Sequence, residues 1–141
     1  MKIVIDTNIL FSYFWKDSIT KKIIESNIFE LYTPNFAFDE LAKYKSEIIY
    51  KVKITEKEYN QTIKELNEKI IIVDPIKYSQ ELRKVTTIPD VNDIDFIALS
   101  MYLDKILWTN DNALTNQDYA LVLNTKQILY LLIKLSKLID N

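Results

Sequence analysis

Four carboxylates in this chain stand where side chains usually meet ligands: Asp6 in KIVIDTN, Glu40 in AFDELAK, Asp93 in DVNDIDF and Asp111 in TNDN. Asp6 follows the β-branched run Ile3 to Ile5, and Asp111 follows Ile106 to Thr109, ILWT. Short apolar runs without alternation read as strands covered on both faces. In an open parallel sheet, ligands bind at the carboxyl ends of such strands. Asp93 falls in the first turn of an apolar helix leading into the second strand, and Glu40 on a helix after another strand. The sequence places no cationic partner beside them. Like charges a few ångströms apart are unfavourable unless protonated or bridged by a cation. Carboxylate oxygens suit hard divalent ions, Mg²⁺ or Mn²⁺. Such ions polarise phosphoryl oxygens and activate water, which makes phosphodiester hydrolysis the natural chemistry of this set.

What the chain lacks narrows the choice. There is no His, Cys or Gly among its 141 residues. That excludes Ser-His-Asp and Cys-His catalysis, the usual structural zinc sites, disulfides, and both glycine-rich phosphate-binding turns. Lys and Arg number 18 against 20 Asp and Glu, a net charge of -2. An anionic substrate then needs bound cations or a local basic patch rather than bulk attraction. No leader pattern opens the chain and no segment approaches a membrane-spanning run, so a soluble cytoplasmic protein is expected.

The elements that must position these acids follow in order. After the first strand, Thr7 and Asn8 open a helix with Ile9, Leu10, Tyr13 and Phe14 inward, and a second helix runs from near Ser18 to Ser26. FELYT, Phe29 to Thr33, alternates as a strand. Phe36 to about Val52 reads as one helix carrying Glu40, with Ala37, Leu41, Tyr44 and Ile48 on one stripe. Thr55 and Glu58 match a capping box opening a helix to about Glu68. Ile70 to Val73 reads as a second buried strand, Lys77 to Val85 as a helix, and Thr86 to Pro89 as a loop. Asp90 to Asp104 is helical, Tyr119 to Leu123 is a short last strand, and Thr125 caps a helix to about Ile139. Strands alternating with helices imply a parallel sheet with right-handed crossovers. With no repeat or linker, residues 1–141 read as a single domain.

Four stretches, KIVIDTNIL, YTPNFAFDELAKYKSEI, DVNDIDFIALSMYLD and ILWTNDNAL, resemble in order and spacing the successive motifs of the PIN-domain family. That family comprises metal-dependent ribonucleases, including VapC-type toxins of toxin–antitoxin pairs. The resemblance implies a three-layer α/β/α sandwich with a central parallel sheet in which the Asp6 and Asp111 strands are neighbours. It also implies a Mg²⁺- or Mn²⁺-dependent endoribonuclease acting on single-stranded or loop RNA, with an antitoxin protein as a partner. Asp6, Glu40, Asp93 and Asp111 match the acidic metal ligands and catalytic residues, and Asn8 and Thr109 match polar residues that shape the site. Asp95 departs from the apolar residue or Pro common before Phe96, so Asp90 and Asp95 compete with Asp93 for its place.

Each of these residues also has a plainer reading. Asp6 caps the next helix, Asp111 forms a turn in a glycine-free chain, Glu40 is solvated, and Asp90 and Asp93 complement a helix dipole. Lys43, Lys45, Lys51, Lys53 and Lys57 form either a phosphate-contacting rim or a solvated face. Tyr44, Tyr50 and Tyr59 among them either stack bases or, for Tyr44 and Tyr59, fill the core. The last helix is apolar on more than one face, as for a buried element, a homodimer or a partner contact. Two rivals to the nuclease remain: a catalytically silent PIN-like RNA- or protein-binding module, and an aspartyl-phosphate phosphatase. The phosphatase ordinarily has a second Asp two residues on, where Asn8 stands.

Overall fold

The computed structural model describes residues 1–88 and 90–140; Pro89, at the end of the predicted Thr86 loop, lies outside them. Five strands and eight α-helices are present among the described residues. The strands are β1 (Lys2–Ile5), β2 (Glu30–Pro34), β3 (Ile70–Val73), β4 (Ile106–Trp108) and β5 (Leu121–Leu123). They pair in parallel in the order β3-β2-β1-β4-β5. The helices are α1 (Thr7–Tyr13), α2 (Ile19–Glu25), α3 (Asn35–Lys43), α4 (Lys45–Val52), α5 (Glu56–Lys69), α6 (Ser79–Lys84), α7 (Val91–Tyr102) and α8 (Thr125–Asp140).

From β1 the chain steps outward through β2 to β3, then returns through α6 and α7 to place β4 on the other flank of β1. With right-handed crossovers, that reversal puts helices on both faces. α7 packs on β1, β2 and β4 with α6 beside it, while α1, α2, α3 and α8 are linked by mutual contacts. The result is a three-layer α/β/α sandwich. The reversal of direction between β1 and β4 opens a crevice at their carboxyl ends.

The core runs through the sheet's centre. Ile3, Val4, Ile5, Leu107 and Trp108 are buried, with Ile97 and Leu99 of α7 covering them and Ile9 and Leu10 of α1 also enclosed. Thr33 Oγ1 donates to the Ile5 carbonyl at 2.9 Å, tying the end of β2 to the end of β1.

Several expected elements are corrected. The second strand is shifted one residue, to Glu30–Pro34, with Phe29 buried in the core before it. The single helix expected from Phe36 to Val52 is broken at Tyr44, whose backbone leaves the helical range at φ -98 and ψ 17. The Tyr44 ring packs edge-on against Phe11, 6.2 Å away. The helix expected at Lys77 is preceded by a 3₁₀ turn, Pro75–Tyr78, and α6 is confined to six residues. β3 is not doubly covered: it is an edge strand with Ile71 and Ile72 well exposed. The cap of α8 is Asn124, not Thr125. Gln127 N donates to Asn124 Oδ1 and Asn124 N donates to Gln127 Oε1, both at 2.9 Å. Thr125 instead accepts from Trp108 Nε1 at 3.0 Å.

Candidate active site

β1 and β4 are paired, with Ile5 opposite Trp108, so the residues following each strand emerge side by side. Asp6 is almost fully buried there. Its Oδ1 accepts from Ile9 N at 2.9 Å, capping α1, while its Oδ2 accepts a short hydrogen bond from Thr109 Oγ1. The plain reading of Asp6 as a cap thus holds alongside its second contact. The same Thr109 hydroxyl accepts from Asp111 N at 3.1 Å. One buried hydroxyl therefore joins the ends of two strands whose residues lie 103 positions apart. Asp111 is exposed, and its Oδ1 accepts from Ala113 N at 3.0 Å to start a 3₁₀ turn.

Asp93 sits half-buried in the first turn of α7, which lies under β1 and β4. Burial pushes its carboxyl up to about 6, and the charges of Asp90, Asp111 and Asp6 add to the shift. Burial likewise raises Asp6, with the Asp111 charge adding to it and hydrogen bonds from Thr109 and Ile9 opposing it. The Asp111 charge thus acts on both Asp6 and Asp93.

Glu40 stands to one side of that group. Its Oε1 accepts from Thr7 Oγ1 at 3.0 Å, which links α3 to the first turn of α1 directly after Asp6. From the sequence Thr7 reads only as opening α1. Its hydroxyl type is an ordinary helix opener, and only the approach of α3 reveals the second partner. Asn8 is exposed on the same turn. Asn8 and Glu40 open onto a cleft of about 500 Å³, lined further by Phe11, Trp15, Tyr44 and Lys51.

The two competing acids have other partners. Asp90 caps α7, accepting from Asn92 N at 3.0 Å. Asp95 Oδ2 accepts from Tyr78 OH at 2.7 Å. Among the lysines, Lys45 forms an ion pair with Glu56 at 2.7 Å. Tyr59 is buried and donates to the Leu41 carbonyl at 2.8 Å, while Tyr50 is exposed.

The donor set can be tested for a cation. Among the described residues, no three His, Cys, Asp or Glu side chains lie in an arrangement that could hold a metal ion. The electrostatics nevertheless favour positive charge: beyond the effect of burial, the Asp90, Asp111 and Asp6 charges help to raise Asp93, the Asp111 charge helps to raise Asp6, and the ion pair found among the described residues lies elsewhere, on Lys45. Their oxygens fit Mg²⁺ or Mn²⁺, which are held by a few carboxylates with several waters retained. Asp6, Asp93 and Asp111, with Glu40 at the rim, are the residues that would hold such an ion.

No curated protein sequence matches the chain. Among solved structures, the fold is similar to a chain of the Rickettsia felis VapBC2 complex bound to a DNA fragment from their promoter, with a TM-score of 0.63 at 16% identity. The match covers 88% of this chain and 98% of that one. The family model described as PIN domain matches residues 4–130. With nearly its whole length matched by that model, and with the sheet order and paired strand-end acids described above, this chain belongs to the PIN-domain family.

Proposed function

We propose that the chain is a divalent-metal-dependent endoribonuclease that hydrolyses phosphodiester bonds of single-stranded or loop RNA. Asp6, Glu40, Asp93 and Asp111 are its metal-holding catalytic acids, and Asn8 and Thr109 shape the site. The observation that carries this reading is the buried Thr109 hydroxyl, which holds Asp6 and the Asp111 backbone together beside an Asp93 that the other acids repel. When bound, a divalent ion supplies the positive charge for phosphoryl transfer to water near neutral pH. Thr109 and Ile9 N between them engage both oxygens of Asp6, so its carboxylate cannot rotate away. Asn8 offers an exposed amide donor to a phosphate oxygen. In the reaction the water oxygen bonds to phosphorus and the bridging P–O bond breaks. The leaving oxygen takes up a proton, giving one phosphate-monoester end and one hydroxyl end.

The structurally similar Rickettsia felis chain comes from a VapBC2 complex. On that likeness the proposal extends to a cytoplasmic toxin held by an antitoxin. Among the described residues no helix is long and apolar enough to cross a membrane. The exposed Tyr130, Ile133, Leu138 and Ile139 of α8 offer a surface for a partner or a second copy.

The test is cleavage of a labelled single-stranded RNA with Mn²⁺, with EDTA, and by Asp6→Asn. Asn caps a helix as well as Asp does, so this variant keeps the bond from Ile9 N while losing the charge and the acceptor for Thr109 Oγ1. Cleavage lost with EDTA and in the variant is expected. Activity surviving Asp6→Asn overturns the site assignment. No cleavage by wild type with either Mn²⁺ or Mg²⁺ favours the silent binding module.

A further inference from the structure

Two clefts meet beside the acidic group. The first, described above, carries Asn8 and Glu40 at one end; the second, of about 750 Å³, is lined by Lys16, Lys21 and Lys53 among others. Trp15 and Val52 line both, so the two form one groove with Trp15 on the ridge between them. Trp15 is 50% exposed, whereas the other tryptophan, Trp108, is fully buried in β4. A half-exposed indole at the junction of two clefts is an open π-surface beside a hydrolytic centre. Asn8, Phe11 and Trp15 recur at spacings of three and four along and just beyond α1, one helical face rising about 10 Å from the acids.

Charge gives the groove a direction. Glu40, whose partner Thr7 directly follows Asp6, lines one end, and three lysines lie at the other against Asp17 and Glu58. Glu58 Oε1 already accepts from Thr55 N at 3.0 Å. Lys21 is steadied by its ammonium lying 5.2 Å from the Tyr13 ring centroid. In the first cleft, Lys51 faces Glu40 and Glu47 and leaves no surplus of positive charge. Phosphates therefore find ammonium groups beyond Trp15, and bases find aromatic surface at it.

Resting on the nuclease reading above, we propose that Trp15 is the stacking platform for an unpaired base of the bound RNA strand and that Lys16, Lys21 and Lys53 hold the phosphates beyond it. The strand runs from the acidic crevice along α1 into the groove between the α1–α2 and α4–α5 connections. Stacking suits any base, so this subsite selects unpaired character rather than sequence.

Trp15 supplies its own reporter. Fluorescence of the wild-type protein is titrated with a single-stranded RNA decamer in EDTA, which separates binding from cleavage; anisotropy of the labelled RNA gives the affinity. Saturable quenching is expected, with affinity about tenfold weaker in Trp15→Ala and restored in Trp15→Phe. Replacing Lys16, Lys21 and Lys53 by Gln lowers the slope of log affinity against log salt by about 2, from roughly 0.7 per phosphate on a single strand. Absent quenching, equal quenching by a glutamate decamer, or unchanged affinity in both variants overturns the proposal. Equal quenching by the peptide would assign the groove to an acidic protein segment. Binding with these signatures but no cleavage in Mn²⁺ sustains the groove and removes the nuclease; cleavage without them does the reverse.

Discussion

Asp93 is the acid of the site whose burial, aided by neighbouring carboxylates, moves its protonation into the range of ordinary buffers. With its carboxyl pushed up to about 6 from an ordinary value of 3.8, the folded metal-free protein holds a proton that the unfolded chain has already lost between those limits. A group whose folded value is raised lends stability below the unfolded value, and that stability disappears as pH rises through about 6. Asp6 shifts in the same direction. An ion binding the ionised group must displace these protons at low pH. We therefore expect the Mn²⁺-induced rise in Tm to grow between pH 5 and pH 7. At an ion concentration 100-fold above Kd the rise is on the order of 10 °C. Asp111→Asn should shrink the rise while preserving the turn hydrogen bond to Ala113 N, which an amide oxygen also accepts. A pH-independent rise, or one unchanged in Asp111→Asn, would move the ion elsewhere. The positions of Asp6 and Asp111 were legible in the sequence because each follows a short apolar run. The separation of Asp93 from Asp95 was not. Two residues apart on a helix means about 200° of rotation, and the Tyr78 hydroxyl that engages Asp95 comes from a different segment.

Helix boundaries show how far local rules reach. The capping boxes of α5 and α8 use the same reciprocal pattern, Thr55 with Glu58 and Asn124 with Gln127. The first matches the local Thr-x-x-Glu pattern, whereas Thr125, itself a good capping type, stands one residue inside the second. Its hydroxyl is instead drawn to the indole of Trp108, a partner supplied by β4. Asn124→Ala should thus lower stability by about 1 kcal/mol, read as a lower urea midpoint at constant slope. A midpoint unchanged by the substitution would show that packing alone sets the start of α8. The break at Tyr44 has a similar origin: the apolar stripe from Ala37 to Ile48 is continuous in sequence, but Tyr44 sits against Phe11 where two helices meet. Ile70 to Val73 lies at the edge: a β-branched run suits the centre and the edge of a sheet alike, and the sheet order decides between them.

At the scale of the molecule, the sheet order decides which residues carry stability. β1 lies at the centre and β3 at an edge, so truncations of similar chemistry should differ sharply. Ile5→Ala, with Ile5 fully enclosed, is expected to cost about 2–5 kcal/mol. Ile71→Ala, with Ile71 half-exposed, should cost about 1 kcal/mol or less. Equal costs in urea unfolding would contradict the order β3-β2-β1-β4-β5. Composition and periodicity were enough for the alternation of strands and helices, the apolar faces, the exclusion of histidine and cysteine chemistry, and the acids at element ends. Those are local properties, set by side-chain periodicity and backbone preference within a few residues. The pairing of β1 with β4, which only the family resemblance had implied, is realised in the folded sheet, and it took the folded chain to show that one threonine joins Asp6 to Asp111 across 103 positions and that Thr7 holds Glu40. Strand pairing at that separation depends on which helices cover which face. That is a property of the whole core and is written in no single segment.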